Sequence, residues 1–230
     1  TRKESSAASD VYKRQLIYNG LIDQAIFLDE VERMQRKRDL FFGEGEKLIL
    51  FVGRLDDIKG VDYLIEAFAK VIKKSSNTRL LIVGDGNYSR YLQMSADIWS
   101  RITFIGKISK QKLYEFYQIA DVGVMPSFHE QCSYVAIEMM MHGLPLIITN
   151  TTGLSEMIHH QNVECRLILK EDQNELRLSV EELSKCLLKI VTDDCWAREV
   201  GKLNRCRYKD AFSLEKMRMA FESFYSCLLY

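Results

Sequence analysis

The chain has 230 residues, 47% of them hydrophobic, so it is long enough to bury the core of one large domain. Its 32 basic and 32 acidic residues give a formal net charge of zero, which argues against a nucleic-acid partner. No apolar run approaches the roughly 20 residues that cross a bilayer, so no transmembrane segment is predicted. The six cysteines form no Cys-x-x-Cys pair, which is typical of reduced thiols. We expect a cytoplasmic protein, with peripheral contact at the inner membrane face as an open alternative.

Residues 1–15 are polar and aperiodic, unlike the rest of the chain. Back-translation of residues 10–15 gives a string that resembles the transposon-end adapter of shotgun sequencing libraries. We therefore expect residues 1–15 to be an adapter-derived artefact, irregular in structure, with upstream sequence missing; the alternative is an ordinary irregular tail. Residues 16–230 are predicted to form one domain.

A surface helix is predicted from about Asp29 to Leu40, where apolar residues are few among many charges. Its basic residues are Arg33, Arg36, Lys37 and Arg38. A solvated helix face is favoured for them over contact with anionic lipid or an acceptor.

Six apolar runs, most of them close to a glycine, are typical of buried parallel strands. They are Lys47–Gly53, Arg79–Val83, Ile102–Ile105, Val122–Met125, Leu146–Thr149 and Cys165–Leu169. Helical spacing between them predicts an α/β fold, a doubly wound, Rossmann-like parallel sheet of about six strands. Beyond Gln173 the pattern predicts helices alone, which we expect to pack on one edge of the sheet as a C-terminal extension.

Two carboxylates, Glu130 and Glu138, flank the predicted start of the helix that follows the fourth strand. Seven residues separate them, and the unpaired N–H groups of a helix N-terminus favour an anion between them. A ligand with a central diphosphate and hydroxyl-rich groups at both ends would satisfy all three features. A nucleotide-sugar is such a ligand.

Other loops at the carboxyl ends of the strands, where α/β sheets bind ligands, carry further candidates. Arg54 and Lys59 place two cations before a helix near Gly60, which favours a diphosphate site over solvated surface charges. Gly84-Asp85-Gly86 permits close approach of a ligand, although a tight turn explains it equally well. His129 is interpreted as incidental, and the pair His159–His160 lacks companions at metal spacing, so no metal site is predicted.

Together these motifs resemble the C-terminal domain of GT-B glycosyltransferases, above all the retaining group 1, or family 4, enzymes. The motifs are Gly53-Arg54 with Lys59-Gly60, Gly84-Asp85-Gly86, Phe104-Ile105-Gly106, and Pro126-Ser127 with Glu130-x7-Glu138 through Gly143-Leu144-Pro145. The resemblance covers about Leu16 to Ile168. It implies hexosyltransferase-type transfer from a nucleoside-diphosphate-sugar donor, with retention of configuration and without a metal or other cofactor.

The resemblance also implies residue roles. Arg54 and Lys59 would contact the donor phosphates, Glu130 the hydroxyls of the transferred sugar, and Glu138 the ribose. Catalysis would rest on Glu130, Arg54 and Lys59. The further donor-binding candidates are Gly53, Gly84, Asp85, Gly86, Lys107, Ile108, Gln131, Cys132, Ser133 and Tyr134, with the backbone at Lys107 and Ile108 meeting the base.

One departure concerns Gln131-Cys132-Ser133, which stands where the family commonly has Gly-Phe-Gly. The surrounding string also resembles a Bacteroidetes subgroup associated with small peptide-modification clusters. In the family an N-terminal domain carries the acceptor site, and we expect that domain to be missing from this sequence. We therefore expect a fragment inactive alone, with an unidentified glycan, lipid or peptide acceptor and an apolar patch that favours self-association.

Alternative functions remain open at this point. A nucleotide-sugar 2-epimerase shares the fold, and a donor-binding module with no activity of its own fits the fragment as it stands. A pyridoxal-dependent phosphorylase would need a Schiff-base lysine, which nothing around Lys107 or Lys110 supports. A dinucleotide dehydrogenase would need Gly-x-Gly-x-x-Gly directly after the first strand, which is absent.

Overall fold

A computed structural model describes residues 16–158, 162–173 and 175–228. The expectations for residues 1–15 and for His159–His160 lie outside the described residues. Six parallel strands form one sheet in the order β3-β2-β1-β4-β5-β6. The strands are β1 (Lys47–Val52), β2 (Thr78–Val83), β3 (Ile102–Gly106), β4 (Val122–Met125), β5 (Leu146–Thr149) and β6 (Arg166–Leu167). The predicted doubly wound parallel sheet is confirmed.

Helices connect the strands and extend the chain beyond the sheet. They are α1 (Glu30–Asp39), α2 (Val61–Val71), α3 (Tyr88–Met94), α4 (Lys110–Ile119), α5 (Tyr134–Met141), α6 (Thr152–Met157), α7 (Val180–Thr192), α8 (Asp194–Arg207) and α9 (Leu214–Leu228). Ser109 is the N-cap of α4, since its side chain accepts from the Lys112 N–H. Within the described part of the chain, no helix is long and apolar enough to cross a membrane.

Alternate side chains of β1 enter two apolar clusters, one on each face of the sheet. Ile49 and Phe51 belong to the cluster that α2 covers, whereas Leu48 and Leu50 belong to the cluster that α4 and α5 cover. All four side chains are at most 1% exposed. Because both faces are covered, the strand reads as a continuous apolar run instead of an alternating one.

The expectation that the C-terminal helices pack on one edge of the sheet is wrong for α7. This helix lies beside α2 on one face, because Leu183, Leu187 and Ile190 form a buried stripe at helical spacing. The expectation of helices alone beyond Gln173 is also wrong. An exposed antiparallel hairpin pairs β7 (Lys170–Asp172) with β8 (Glu175–Arg177).

The basic cluster of α1 is only partly a solvated face, which corrects the sequence-based interpretation. Lys37 is 3% exposed, and its ammonium donates to the Glu46 carbonyl and lies 3.5 Å from the Asp121 carboxylate. Arg33 pairs with the other oxygen of Asp121 at 3.0 Å. These bonds attach α1 to the start of β4, and burial holds the pKa of Lys37 below its usual value despite the neighbouring carboxylate.

Helix α9 leaves large apolar side chains in water. Leu214, Met219, Phe221 and Tyr225 are between 39% and 59% exposed along this helix. The first turn is attached to the N-terminal segment, since the Leu214 N–H donates to the Leu21 carbonyl at 2.8 Å. The exposed face is the surface on which self-association is expected.

Candidate functional site

The loop after β1 and the loop after β4 are joined by backbone contacts at the carboxyl edge of the sheet. The Phe128 N–H donates to the Ile58 carbonyl at 2.8 Å. Gly60 is in the left-handed region, with φ of 63°, and a Cβ there would overlap the Pro126 carbonyl oxygen. Both loops are therefore held in one arrangement.

This arrangement brings Lys59 and Glu130 together. Their ammonium and carboxylate lie 2.6 Å apart, and the two side chains are 16% and 17% exposed. Lys59 ends a 3₁₀ turn, Asp57–Lys59, whose N-cap is the Asp56 side chain. Because Lys59 is largely shielded from water, its positive charge would act on a nearby anion more strongly than the charge of a surface lysine would.

Arg54 lies apart from that pair. Its guanidinium contacts the Asp56 carboxylate at 3.2 Å, and its side chain is 75% exposed. Arg54 nevertheless lines an open cleft of about 610 Å³ at the ends of β1, β2 and β3. The other residues that line this cleft are Val52, Gly53, Val83, Gly84, Asp85, Gly86, Lys107, Ile108 and Leu113.

The glycines of Gly84-Asp85-Gly86 allow two backbones to touch. The Leu55 N–H donates to the Asp85 carbonyl at 2.8 Å, and Leu55 and Gly86 form a parallel bridge. Gly84 has φ of 146°, and a Cβ there would overlap the Gly53 carbonyl oxygen. Close contact between the β1 and β2 loops, rather than a tight turn alone, accounts for these glycines.

Ser133 begins α5 as its N-cap, and its hydroxyl accepts from the Ala136 N–H at 3.2 Å. The Cys132 sulfur accepts from the Asn19 amide at 3.4 Å, which ties the loop to the N-terminal segment. Gln131 is exposed, and the Tyr134 side chain is 52% exposed at the first helical position. The helix start therefore lies beside Glu130, with its capped N–H groups at the carboxyl edge of the sheet.

Glu138 is 8% exposed and is held by the neighbouring helix α4. The Tyr117 hydroxyl donates to Oε2 at 3.1 Å, and the Lys110 ammonium lies 3.2 Å from Oε1. The Tyr114 hydroxyl lies 3.5 Å from the same Oε1. Burial is the main cause of the raised pKa of Tyr114 and of the strongly raised pKa of Tyr117, and the Glu138 charge adds to both.

Lys110, Tyr114 and Tyr117 were not identified from the sequence. They stand at positions i, i+4 and i+7 of one helix, which places them on a common face. That spacing could have shown that the three side chains share one face of a helix, although it does not show which element this face contacts. The structure shows that the face meets Glu138 on α5.

His142 packs against the same two tyrosines and is 7% exposed. Its Nδ1 donates to the Glu138 carbonyl at 2.8 Å. Burial lowers the pKa of His142 from the usual value of 6.5. The imidazole is therefore kept neutral in the fold.

This burial predicts an acid-sensitive part of the stability. Below pH 6.5 the unfolded imidazole binds a proton that the folded one does not, so the free energy of unfolding falls as the pH drops towards the folded pKa. A His142→Gln variant is expected to lose less stability than the wild type over that interval. Urea unfolding of both chains at several pH values measures the difference, and parallel curves would contradict it.

Three groups of predicted residues thus occupy the carboxyl edge of the sheet. The cleft collects Arg54 and the residues predicted to meet the base, Lys59 pairs with Glu130 beside the start of α5, and Glu138 lies under α4. Among the described residues, no three His, Cys, Asp or Glu side chains converge as metal ligands. The structure thus contains cations, a helix N-terminus and two largely shielded carboxylates among these residues.

The chain has the α/β fold of one half of a GT-B glycosyltransferase. Sucrose-phosphate synthase from Thermosynechococcus elongatus superposes with a TM-score of 0.76 at 27% identity, over 94% of this chain and 52% of that one. Anabaena HepE in complex with UDP superposes with a TM-score of 0.77 at 17% identity, over 93% of this chain and 57% of that one.

Sequence comparison agrees with the fold. Residues 46–186 match the family model described as glycosyl transferases group 1, and the chain belongs to that family. An uncharacterized glycosyltransferase of Methanocaldococcus jannaschii is 35% identical over 154 residues, which are 65% of this chain and 39% of that protein. N-acetyl-alpha-D-glucosaminyl L-malate synthase of Bacillus anthracis is 25% identical over 92% of this chain and 53% of its own length. The chain thus spans about half the length of these relatives or less.

Proposed function

We propose that this chain supplies the donor site of a retaining glycosyltransferase that uses a nucleoside-diphosphate sugar and needs no metal. The observation that carries the proposal is the shielded Lys59–Glu130 pair at 2.6 Å, beside the start of α5. A cation and helix N–H groups suit a diphosphate, and a carboxylate at the same point suits the hydroxyls of the sugar next to it.

The proposed chemistry follows from the charge that moves. When the sugar leaves its nucleotide, negative charge develops on the departing diphosphate, and Lys59 with the start of α5 would stabilise it. Arg54 would reach the phosphates from the rim of the cleft after leaving Asp56, since its side chain is exposed and its ion pair is a surface one. Glu130 would then orient the transferred sugar, and Glu138 the ribose.

The acceptor site is proposed to lie on an N-terminal domain, because the matches span only 39% and 53% of the lengths of the two relatives. The acceptor, a glycan, lipid or peptide, would bind across the cleft between the domains. A complex with UDP is known for the structurally similar HepE, which supports a nucleotide donor here. We further propose that the protein acts in the cytoplasm, with peripheral contact at the inner membrane face as the alternative.

Calorimetric titration of the 230-residue chain with UDP, GDP and ADP tests the donor site. We expect one of the three to bind more tightly than the two others, because the groups that would meet the base, at Lys107 and Ile108, present one fixed set of donors and acceptors. Circular dichroism of the same sample controls for folding. A folded chain that binds none of the three nucleotides would contradict the proposal.

A further inference from the structure

Glu138 presents its two carboxylate oxygens to different surroundings. Oε2 meets the hydroxyl of Tyr117, a side chain that is 1% exposed and whose ring packs on His142 at 5.0 Å between centroids. Oε1 lies 3.2 Å from the ammonium of Lys110, whose side chain is half exposed, and 3.5 Å from the buried Tyr114 hydroxyl. Oε2 is thus held from inside the protein, whereas the nearer partner of Oε1 is a residue that water reaches.

The exposed partner of this carboxylate, Lys110, belongs to a stretch of chain that borders the cleft. Lys110 stands in the stretch between Ile108 and Leu113, and both of these residues line the cleft. A ligand that extends from the cleft past this stretch would meet Lys110, the partner of Oε1. Lys110 can give way to it, because its side chain is flexible and half in solvent.

Tyr117 is suited to hold the other oxygen in place. Burial keeps its pKa well above 10, so the phenol stays protonated and donates to Oε2 across the neutral range. Its ring packs against His142, which holds the side chain in place. The hydrogen bond that it donates is to a charged acceptor, and such a bond is stronger than one between neutral groups.

We propose that Tyr117 is a positioning residue through which Glu138 distinguishes a ribonucleotide donor from its 2′-deoxy analogue. This inference rests on the proposed role of Glu138 in binding the ribose. With Oε2 held by Tyr117, the carboxylate is kept in one orientation, in which Oε1 is the oxygen left to accept from the ribose 2′-hydroxyl. Without that bond the carboxylate would turn towards Lys110 and lose its alignment.

The test compares two affinities for each variant of the 230-residue chain. Calorimetry with the ribonucleoside diphosphate that binds, and with its 2′-deoxy analogue, gives a ratio of dissociation constants. We expect a ratio of about tenfold or more in the wild type, as for a hydrogen bond to a charged group, and a ratio near one in Tyr117→Phe. In Tyr117→Phe only the affinity for the ribonucleotide should fall, since the deoxy analogue has no 2′-hydroxyl to donate to Glu138.

Tyr91→Phe is the matched control. Tyr91 is as buried as Tyr117, lies in the other apolar cluster, and its hydroxyl has no hydrogen-bond partner among the described residues. Its loss should leave the ratio unchanged. In a double-mutant cycle, Tyr117→Phe should have no further effect on the ratio once Glu138→Gln is present.

The outcomes separate this inference from the proposed function. If the wild type binds none of UDP, GDP and ADP, both fail. If it binds one and distinguishes the sugar, while Tyr117→Phe keeps the wild-type ratio, only the role of Tyr117 is overturned. A Tyr117→Phe chain that does not fold would also overturn it, because the hydroxyl would then serve the fold and not ribose selection.

Discussion

Replacing Lys59 with methionine is expected to weaken binding of the nucleoside diphosphate by about 100-fold, the effect of losing a charge-assisted hydrogen bond of roughly 2.7 kcal/mol. The Lys59 side chain is 16% exposed, so water cannot fully replace its charge. The variant also leaves the Glu130 carboxylate without its partner, and this negative charge would repel the phosphates. Calorimetric titration with the nucleotide that binds the wild type measures the loss.

Two further variants separate a role in binding from a role in structure. Lys70→Met removes an exposed ammonium that pairs with Glu181 at 2.9 Å on another surface, and it should bind nucleotide as the wild type does. Glu130→Gln releases Lys59 from its partner, so binding of the diphosphate alone should be kept while binding of the sugar-bearing donor weakens. Equal losses of diphosphate affinity in Lys59→Met and Glu130→Gln would show that the pair is structural.

Replacing Gly60 with alanine is expected to lower the free energy of unfolding by about 3 kcal/mol or more. The left-handed backbone alone costs an alanine roughly 1–2 kcal/mol. The added Cβ would also overlap the Pro126 carbonyl oxygen, a backbone atom that cannot move without disturbing the loop after β4. Urea unfolding measures the change, and nucleotide binding should fall with it because this loop carries Glu130.

Gly43→Ala is the control for that substitution. A Cβ at Gly43 would have no neighbour nearer than 3.6 Å, and no left-handed backbone is recorded there. Its effect on stability should be within about 0.5 kcal/mol of zero, as for an ordinary surface change. A similar small effect for Gly60→Ala would mean that the two loops are not held together as described.

The sheet could be predicted because its strands are buried on both faces, so that β1 reads as an uninterrupted apolar run next to a glycine. The N-cap of α4 could be predicted because Ser109 acts on a backbone group three residues away. Both are local consequences of residue type. The six-stranded order then follows from the few topologies that alternating strands and helices allow.

Features that depend on distant partners could not be predicted. The sequence placed Arg54 and Lys59 together as two cations, but the structure pairs Arg54 with Asp56 and Lys59 with Glu130. Nothing in the spacing of the charges selects those partners. The contact of Tyr117 with Glu138 spans 21 positions and exists only because α4 and α5 lie side by side.

The hairpin of β7 and β8 was missed for a different reason. Its residues carry charges at most positions and are exposed on both sides, so they show no alternation. Its turn places Gln173 at φ of 52°, a left-handed conformation that a glutamine does not predict. A strand pair that buries nothing leaves little trace in a sequence.

The exposed apolar side of α9 would make the stability of the chain depend on the protein concentration. If two copies cover these side chains mutually, association draws the folding equilibrium towards the native state by mass action. The midpoint of thermal unfolding would then rise with protein concentration. A concentrated sample would therefore unfold at a higher temperature than the same chain at the lower concentration at which it binds its ligand.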